Sequence, residues 1–271
     1  MYAAAWHSLR RVYDSTGQDC ALEHDRRASD SARMKLMIAL CAAFAGSPVV
    51  ADPVVVFAAA SLKEPIDTLA AQLGDVVVSY GGSGALARQV MQGAPADVVL
   101  LANDAWMQEL VAANAVTDTA DFASNRLVLI GQAGAADIDL ADLPQALDDA
   151  KLAMGFTQAV PAGIYGRAAL DALGLWDAVA PHVVALDNVR AVLTLVARGE
   201  AAFGITYATD ARASDAVRIV AQFDPATHPA VRYTGGLVSG TAAAAAFWDQ
   251  LQGPSGQVIL AEAGFLPAVA P

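Results

Sequence analysis

With 271 residues, 56% of them apolar and 16% charged, the chain has the make-up of a folded protein with a sizeable core or two compact domains, not of a disordered one. Its formal charge of −12 repels nucleic acid and anionic membrane surfaces, which argues against both as partners. Both cysteines, Cys20 and Cys41, precede Ala51, so disulfides, thiolate metal ligands and a cysteine nucleophile are excluded beyond that point.

Near the start, Met34-Lys35 leads into the apolar run Leu36 to Val50 and the small residue Ala51. This run is too short to span a bilayer and has the layout of a secretory signal peptide cut after Ala51. Met34 then reads as the initiator, residues 34–51 as the signal peptide, and residues 1–33 as an upstream extension outside the native precursor. The exported part, from Asp52 on, carries 10 Lys and Arg against 23 Asp and Glu.

The exported part opens on Val54-Val55-Val56-Phe57-Ala58-Ala59-Ala60-Ser61-Leu62. A Val-rich apolar run predicts a strand buried on both faces, and Leu62, Ile66, Leu69 and Leu73 recur at helical spacing behind it. Ser61 stands at the junction, where a helix exposes unpaired N–H groups. It can cap that helix or face an anion. A second corner repeats the scheme: Val76 to Tyr80 predicts a strand feeding Gly81-Gly82-Ser83-Gly84, with Ser83 ahead of the helix marked by Leu86, Val90 and Met91. It lacks the Gly-Lys-Ser/Thr ending of a P-loop and the glycine spacing of a dinucleotide fingerprint.

Asp97 to Leu101 predicts a third strand, with Asp97 read as a carboxylate that ties down a loop, and a helix follows carrying Trp106, Met107 and Leu110. Arg126 to Ile130 predicts another strand. Strand and helix then alternate: strand Leu152 to Phe156 and a helix from Ile164 to Leu173; strand Val183 to Leu186 and a helix from Val189 to Val196; strand Phe203 to Tyr207; strand Val217 to Ala221. Such alternation predicts parallel α/β domains with ligands at the carboxyl ends of the strands. The tail, with helices over Ala242 to Leu251 and before Gly264, is too small for a domain and is expected to pack on the first lobe. Residues 52–133 plus 236–271 then form lobe 1 and residues 134–235 lobe 2, with crossings near Gly131–Ala136 and Val231–Leu237 and a cleft between.

No catalytic constellation stands out. His182 and His228, the histidines beyond Ala51, each sit beside a proline far from either serine corner, and no Gly-x-Ser-x-Gly elbow or zinc-type histidine set is present. Spacing leaves open a serine hydrolase using Ser61 or Ser83, but a binding protein without cofactor is the better reading. Few aromatics near the corners argue against a sugar receptor. The lack of clustered Tyr, His and carboxylate ligands argues against a ferric-ion receptor.

The motifs Val56-Phe57-Ala58-Ala59-Ala60-Ser61-Leu62, Gly82-Ser83-Gly84-Ala85-Leu86-Ala87-Arg88-Gln89, Gly93-Ala94-Pro95-Ala96-Asp97, Val160-Pro161-Ala162-Gly163-Ile164-Tyr165, Asn188-Val189-Arg190 and Gly204-Ile205-Thr206-Tyr207 occur in this order. Together they resemble the periplasmic molybdate-binding proteins of ABC importers, over essentially everything after Ala51. The resemblance implies an α/β, two-lobed periplasmic binding protein of type II fold with the ligand cleft between lobes, located in the periplasm and monomeric. It implies capture of molybdate or tungstate for a membrane permease, with the metal held only through its oxyanion oxygens and no direct protein ligand. Residue by residue, it implies hydroxyl donors from Ser61, Ser83 and Tyr207 and backbone N–H donors from Ala162 and Val189. At the second corner many relatives carry a serine run where this chain has Gly82 and Gly84, which keeps backbone donors but removes neighbouring hydroxyls. Donor chemistry alone would also serve a sulfate or phosphate receptor of the same fold; size is then the discriminator.

Overall fold

The computed structural model describes residues 52–268; the expected signal peptide and upstream extension lie outside the described residues. Strand β1 (Val54–Ala59) passes through a single 3₁₀ turn (Ala60–Leu62) into helix α1 (Lys63–Leu73), whose Ile66 and Leu69 are fully buried one turn apart. Gly74 ends that helix in the left-handed region at φ 67°, donating its N–H to the Ala70 carbonyl. Strand β2 (Val76–Gly81) leads into α2 (Ser83–Met91), and β3 (Val98–Leu101) into α3 (Asp104–Ala112). Next come β4 (Thr117–Ser124) and β5 (Leu127–Gln132), then the short α4 (Leu143–Leu147).

The second half repeats the pattern. Strand β6 (Leu152–Gly155) feeds α5 (Pro161–Ala172), and α6 (Trp176–Val179) precedes β7 (Val183–Leu186) and α7 (Val189–Ala197). Strand β8 (Phe203–Tyr207) runs into α8 (Ala208–Arg212), followed by β9 (Val217–Gln222) and β10 (Arg232–Leu237). Helices α9 (Ala242–Gln252) and α10 (Pro254–Glu262) close the described chain.

Two five-stranded sheets result, ordered β2-β1-β3-β10-β4 and β7-β6-β8-β5-β9. Each has three parallel strands, then one strand antiparallel to them (β10 in the first sheet, β5 in the second), then an edge strand paired antiparallel to that one. Parallel strands buried on both faces explain the unbroken Val and Leu runs of β1 and β3. The two sheets thus share one topology, and the carboxyl ends of both parallel triplets open on a common cleft.

Both lobe boundaries differ from the sequence expectation: lobe 2 was expected to span residues 134–235, yet Arg232–Leu237 form β10 of the first sheet. The first crossing was expected at Gly131–Ala136, but β5 already pairs with β8 and β9, and Gly131 lies inside that strand opposite Phe203. Sheet membership changes instead at Asn125-Arg126, between β4 and β5, and between Gln222 and Arg232, ahead of β10. The buried run Leu127 to Ile130 needs partners on both sides, and only the second sheet offers two. Strand β4 was not foreseen at all: Thr117-Asp118-Thr119-Ala120-Asp121 is polar because it lies half-exposed on an edge, held by β10 and by an Arg232–Asp121 ion pair at 2.8 Å.

Asp97 ties the first sheet together. One carboxylate oxygen accepts the Val55 N–H at 2.9 Å and the other accepts from the Ser239 hydroxyl, while the Asp97 carbonyl accepts the Val238 N–H.

Candidate functional site

Six strand-to-helix corners meet in one cavity. From the first sheet, β1 supplies Ala60 and Ser61, β2 supplies Gly82 and Ser83, and β3 supplies Ala102. From the second, β6 leads to Pro161 and Ala162, β7 to Asn188 and Val189, and β8 ends in Tyr207. The five residues singled out from sequence, Ser61, Ser83, Ala162, Val189 and Tyr207, all line this cavity. No Asp, Glu, Lys, Arg or His does.

Each corner presents donors for a reason visible in its local sequence. Helix α5 starts with Val160 at its N-cap, which has no side chain to accept a hydrogen bond, and with Pro161, which has no N–H; Ala162 carries the first N–H of that helix. At α7 the Asn188 side chain accepts from the Arg190 and Ala191 N–H groups at 2.9 and 3.0 Å, which leaves the Val189 N–H outside the cap. Gly82 is the N-cap of α2 and likewise offers no side-chain acceptor. Three α-helix N-termini and the 3₁₀ turn therefore direct their positive ends at one small volume.

The hydroxyls complete the set. Ser61 and Ser83 are each 1% exposed, and Ser83 Oγ accepts the Ala102 N–H at 3.0 Å while Ser61 Oγ lies 2.8 Å from the Tyr233 hydroxyl. The Tyr207 hydroxyl is buried without a hydrogen-bond partner. Burial pushes its pKa well above 10.0, with Tyr233, Tyr165 and Asp210 adding to the effect, so the hydroxyl of this cavity-lining residue keeps its proton. An unpartnered buried hydroxyl is costly unless something accepts from it. The cavity is small, about 10 Å³ open to the centre of a water-sized sphere, and its donors suit a compact, acceptor-only anion of a few atoms.

Beneath Tyr207, Asp210 is fully buried and its carboxylate accepts from the Thr206 hydroxyl at 2.8 Å and the Tyr207 N–H at 3.3 Å. Burial raises its pKa to about 6, against the opposing pull of Arg190 and of these hydrogen bonds. Arg190 Nε lies 3.0 Å from Asp210 Oδ1, off the line of its N–H bond, so the attraction is Coulombic. The other end of the same guanidinium grips Glu64 of α1 through both carboxylate oxygens. Arg190 thus joins the two lobes beside the cavity.

Further contacts hold the lobes closed. Trp106 Nε1 donates to the Ala159 carbonyl at 3.0 Å, and Asn103 Nδ2 donates to the Tyr165 hydroxyl at 3.0 Å. A Cβ at Gly82 would stand 2.2 Å from the Asp187 carbonyl oxygen, and one at Gly84 would stand 2.5 Å from that of Ala159. These glycines serve close approach of the lobes, a role sequence alone did not reveal. Tyr233 and Asn125, which support Ser61, were also missed: they lie on distant segments, and no local pattern marks them.

Neither His182 nor His228 lines the cavity. Their Nδ1 atoms pair with the carbonyls of Ala150 and Pro229. A Ser–His pair is therefore not formed at Ser61 or Ser83, which counts against the hydrolase alternative. Among the described residues no three His, Cys, Asp or Glu side chains are placed to hold a metal ion, and no helix is long and apolar enough to cross a membrane.

Comparison with known proteins agrees with this geometry. The family of bacterial extracellular solute-binding proteins matches residues 54–266. The molybdate-binding protein ModA of Escherichia coli (strain K12) is 38% identical over 227 residues, covering 78% of this chain and 88% of its own. ModA of Haemophilus influenzae is 36% identical over 226 residues, covering 78% and 89%. The solved periplasmic molybdate-binding protein of Azotobacter vinelandii shares the fold, with a TM-score of 0.70 at 22% identity over 80% of this chain and 99% of its own. The chain belongs to the bacterial extracellular solute-binding proteins, as a periplasmic-type, two-lobed member of the ModA family of molybdate ABC-transporter proteins.

Proposed function

We propose that the protein captures molybdate or tungstate in the cleft and delivers it to the membrane permease of an ABC importer. The observation that carries this reading is a small cavity without charged side chains, ringed by helix N-termini and lined by Tyr207, whose buried hydroxyl has no hydrogen-bond partner. In this reading Ser61, Ser83 and Tyr207 donate through hydroxyls and Ala162 and Val189 through backbone N–H groups to the oxyanion's oxygens. No side chain ligates the metal atom. Several fixed donors offset the desolvation of a dianion without a countercharge, and the helix termini add a favourable field. The identity to ModA proteins supports the choice of ligand. The receptor would act as a monomer in the periplasm after loss of residues 34–51, with its lobes divided where sheet membership changes.

Calorimetric titration of the protein from Asp52 onward with molybdate, tungstate, sulfate and phosphate, at one pH and salt concentration, tests this. Tight one-to-one binding of the first two is expected, with sulfate at least about tenfold weaker, or about 1.4 kcal/mol. Equal or tighter sulfate binding would reassign the ligand to the sulfate class. No binding of any of the four would remove the functional reading.

A further inference from the structure

A serine hydroxyl both donates and accepts, so burial in a cavity does not by itself make it a donor toward a ligand. For Ser83 the accepting side is filled by the Ala102 N–H at 3.0 Å, a group that can only donate. For Ser61 the neighbour is the Tyr233 hydroxyl at 2.8 Å, which could play either part. The direction is decided one residue further out. Asn125 Oδ1 accepts the Arg126 N–H at 2.9 Å, which turns its amide nitrogen toward Thr209 Oγ1 at 2.8 Å and Tyr233 at 3.4 Å. An amide nitrogen only donates, so the Tyr233 oxygen accepts there. If Ser61 donated to Tyr233 as well, the Tyr233 hydrogen would be left without an acceptor on a side chain that is 0% exposed. All the bonds are satisfied together only when Tyr233 donates to Ser61.

We propose that Tyr233, oriented by Asn125, is a positioning residue that fills the accepting side of Ser61 and so turns the Ser61 hydroxyl hydrogen into the cavity. Asn125 stands where the chain passes between sheets, and Thr209 follows Tyr207 in the second lobe. The chain Thr209–Asn125–Tyr233–Ser61 therefore ties the state of the first-lobe serine to the interlobe crossing. Burial holds the Tyr233 hydroxyl protonated, in keeping with its role as donor.

This inference rests on the oxyanion reading, and a double-mutant cycle separates the two. Molybdate is titrated into the wild-type protein, Tyr233→Phe, Ser61→Ala and the double variant, each checked for folding by thermal melting. Tyr233→Phe is expected to weaken binding about tenfold, and to change it less than about twofold when Ser61 is already Ala. Undiminished affinity in Tyr233→Phe, or the same fold-loss with and without Ser61, would overturn the proposal, the latter showing a merely structural role. Should Tyr233→Phe fail to fold, Asn125→Ala carries the same cycle: a loss that disappears in the Ser61→Ala background supports the proposal and an equal loss in both overturns it. A wild-type protein that binds none of molybdate, tungstate, sulfate and phosphate would overturn the oxyanion reading, and this inference with it.

Discussion

The Tyr207 hydroxyl is an orphan donor at the end of β8, and at the residue scale it gives the most direct test of the site. Tyr207→Phe keeps the ring, whose centroid lies 5.9 Å from that of Tyr233, and removes only the donor. Binding of the oxyanion should weaken by about 1–3 kcal/mol in calorimetry, the scale of a hydrogen bond to a charged group, while stability holds or rises because a buried unpaired group is gone. Asp210 gives a second test. Its pKa rises from 3.8 to about 6 on folding, chiefly through burial, so between those values the folded state holds a proton that the unfolded chain has released. The contribution is therefore fully present below pH 3.8 and lost as pH rises through about 6, by up to about 3 kcal/mol. Urea denaturation of Asp210→Asn across that window should show this component of the slope removed.

At the scale of elements, the approach of α2 to the second lobe is set by glycine. Gly82→Ala would place a methyl group 2.2 Å from the Asp187 carbonyl oxygen and 3.4 Å from the Val160 side chain, both across the cleft, contacts that exist only when the lobes are closed. Its expected signature is an affinity at least about tenfold weaker with little change in the melting point of the ligand-free protein. Small-angle scattering should show the wild type contracting on anion addition and the variant contracting less. The α1–α7 link divides unevenly between its two carboxylates. Glu64 is 47% exposed, so Glu64→Gln should cost less than about 1 kcal/mol. Arg190→Met leaves buried Asp210 without its cation and should cost about 3 kcal/mol in chemical denaturation at neutral pH, with a smaller penalty at pH 4 where Asp210 is protonated.

For the whole molecule, the two sheets of equal topology make the cleft a pseudo-symmetric site, with three corners from each side converging on one anion-sized volume. In the proposed function, lobe closure would both bury the ligand and complete its donor set, because the proposed donors are divided between the lobes. The acidic surface, 23 Asp and Glu against 10 Lys and Arg beyond Ala51, then acts on encounter rate while the local donors govern affinity. Cleavage after Ala51 is tested on the whole chain: N-terminal sequencing of exported protein is expected to begin at Asp52, and mature material starting upstream of Met34 would contradict it.

The sequence by itself determined the strands and helices whose signals are local. Apolar runs marked β1, β3 and β8, Ser61 and Ser83 stood at strand-to-helix corners, and Asn188 preceded the apolar face of α7, because burial periodicity and capping act over a few residues. The donor roles expected of Ala162 and Val189 do not lie in their side chains; they came from the resemblance alone, because a backbone N–H has no sequence signature. Only tertiary structure decided that β5 leaves the first sheet for the second, that polar β4 is an edge strand, that Gly82 and Gly84 meet carbonyls across the cleft, and that Tyr233 and Asn125 stand behind Ser61. Each of these depends on a partner remote in the chain, 172 residues away for Ser61 and Tyr233, and such pairing is fixed by packing of the whole molecule, not by local propensity.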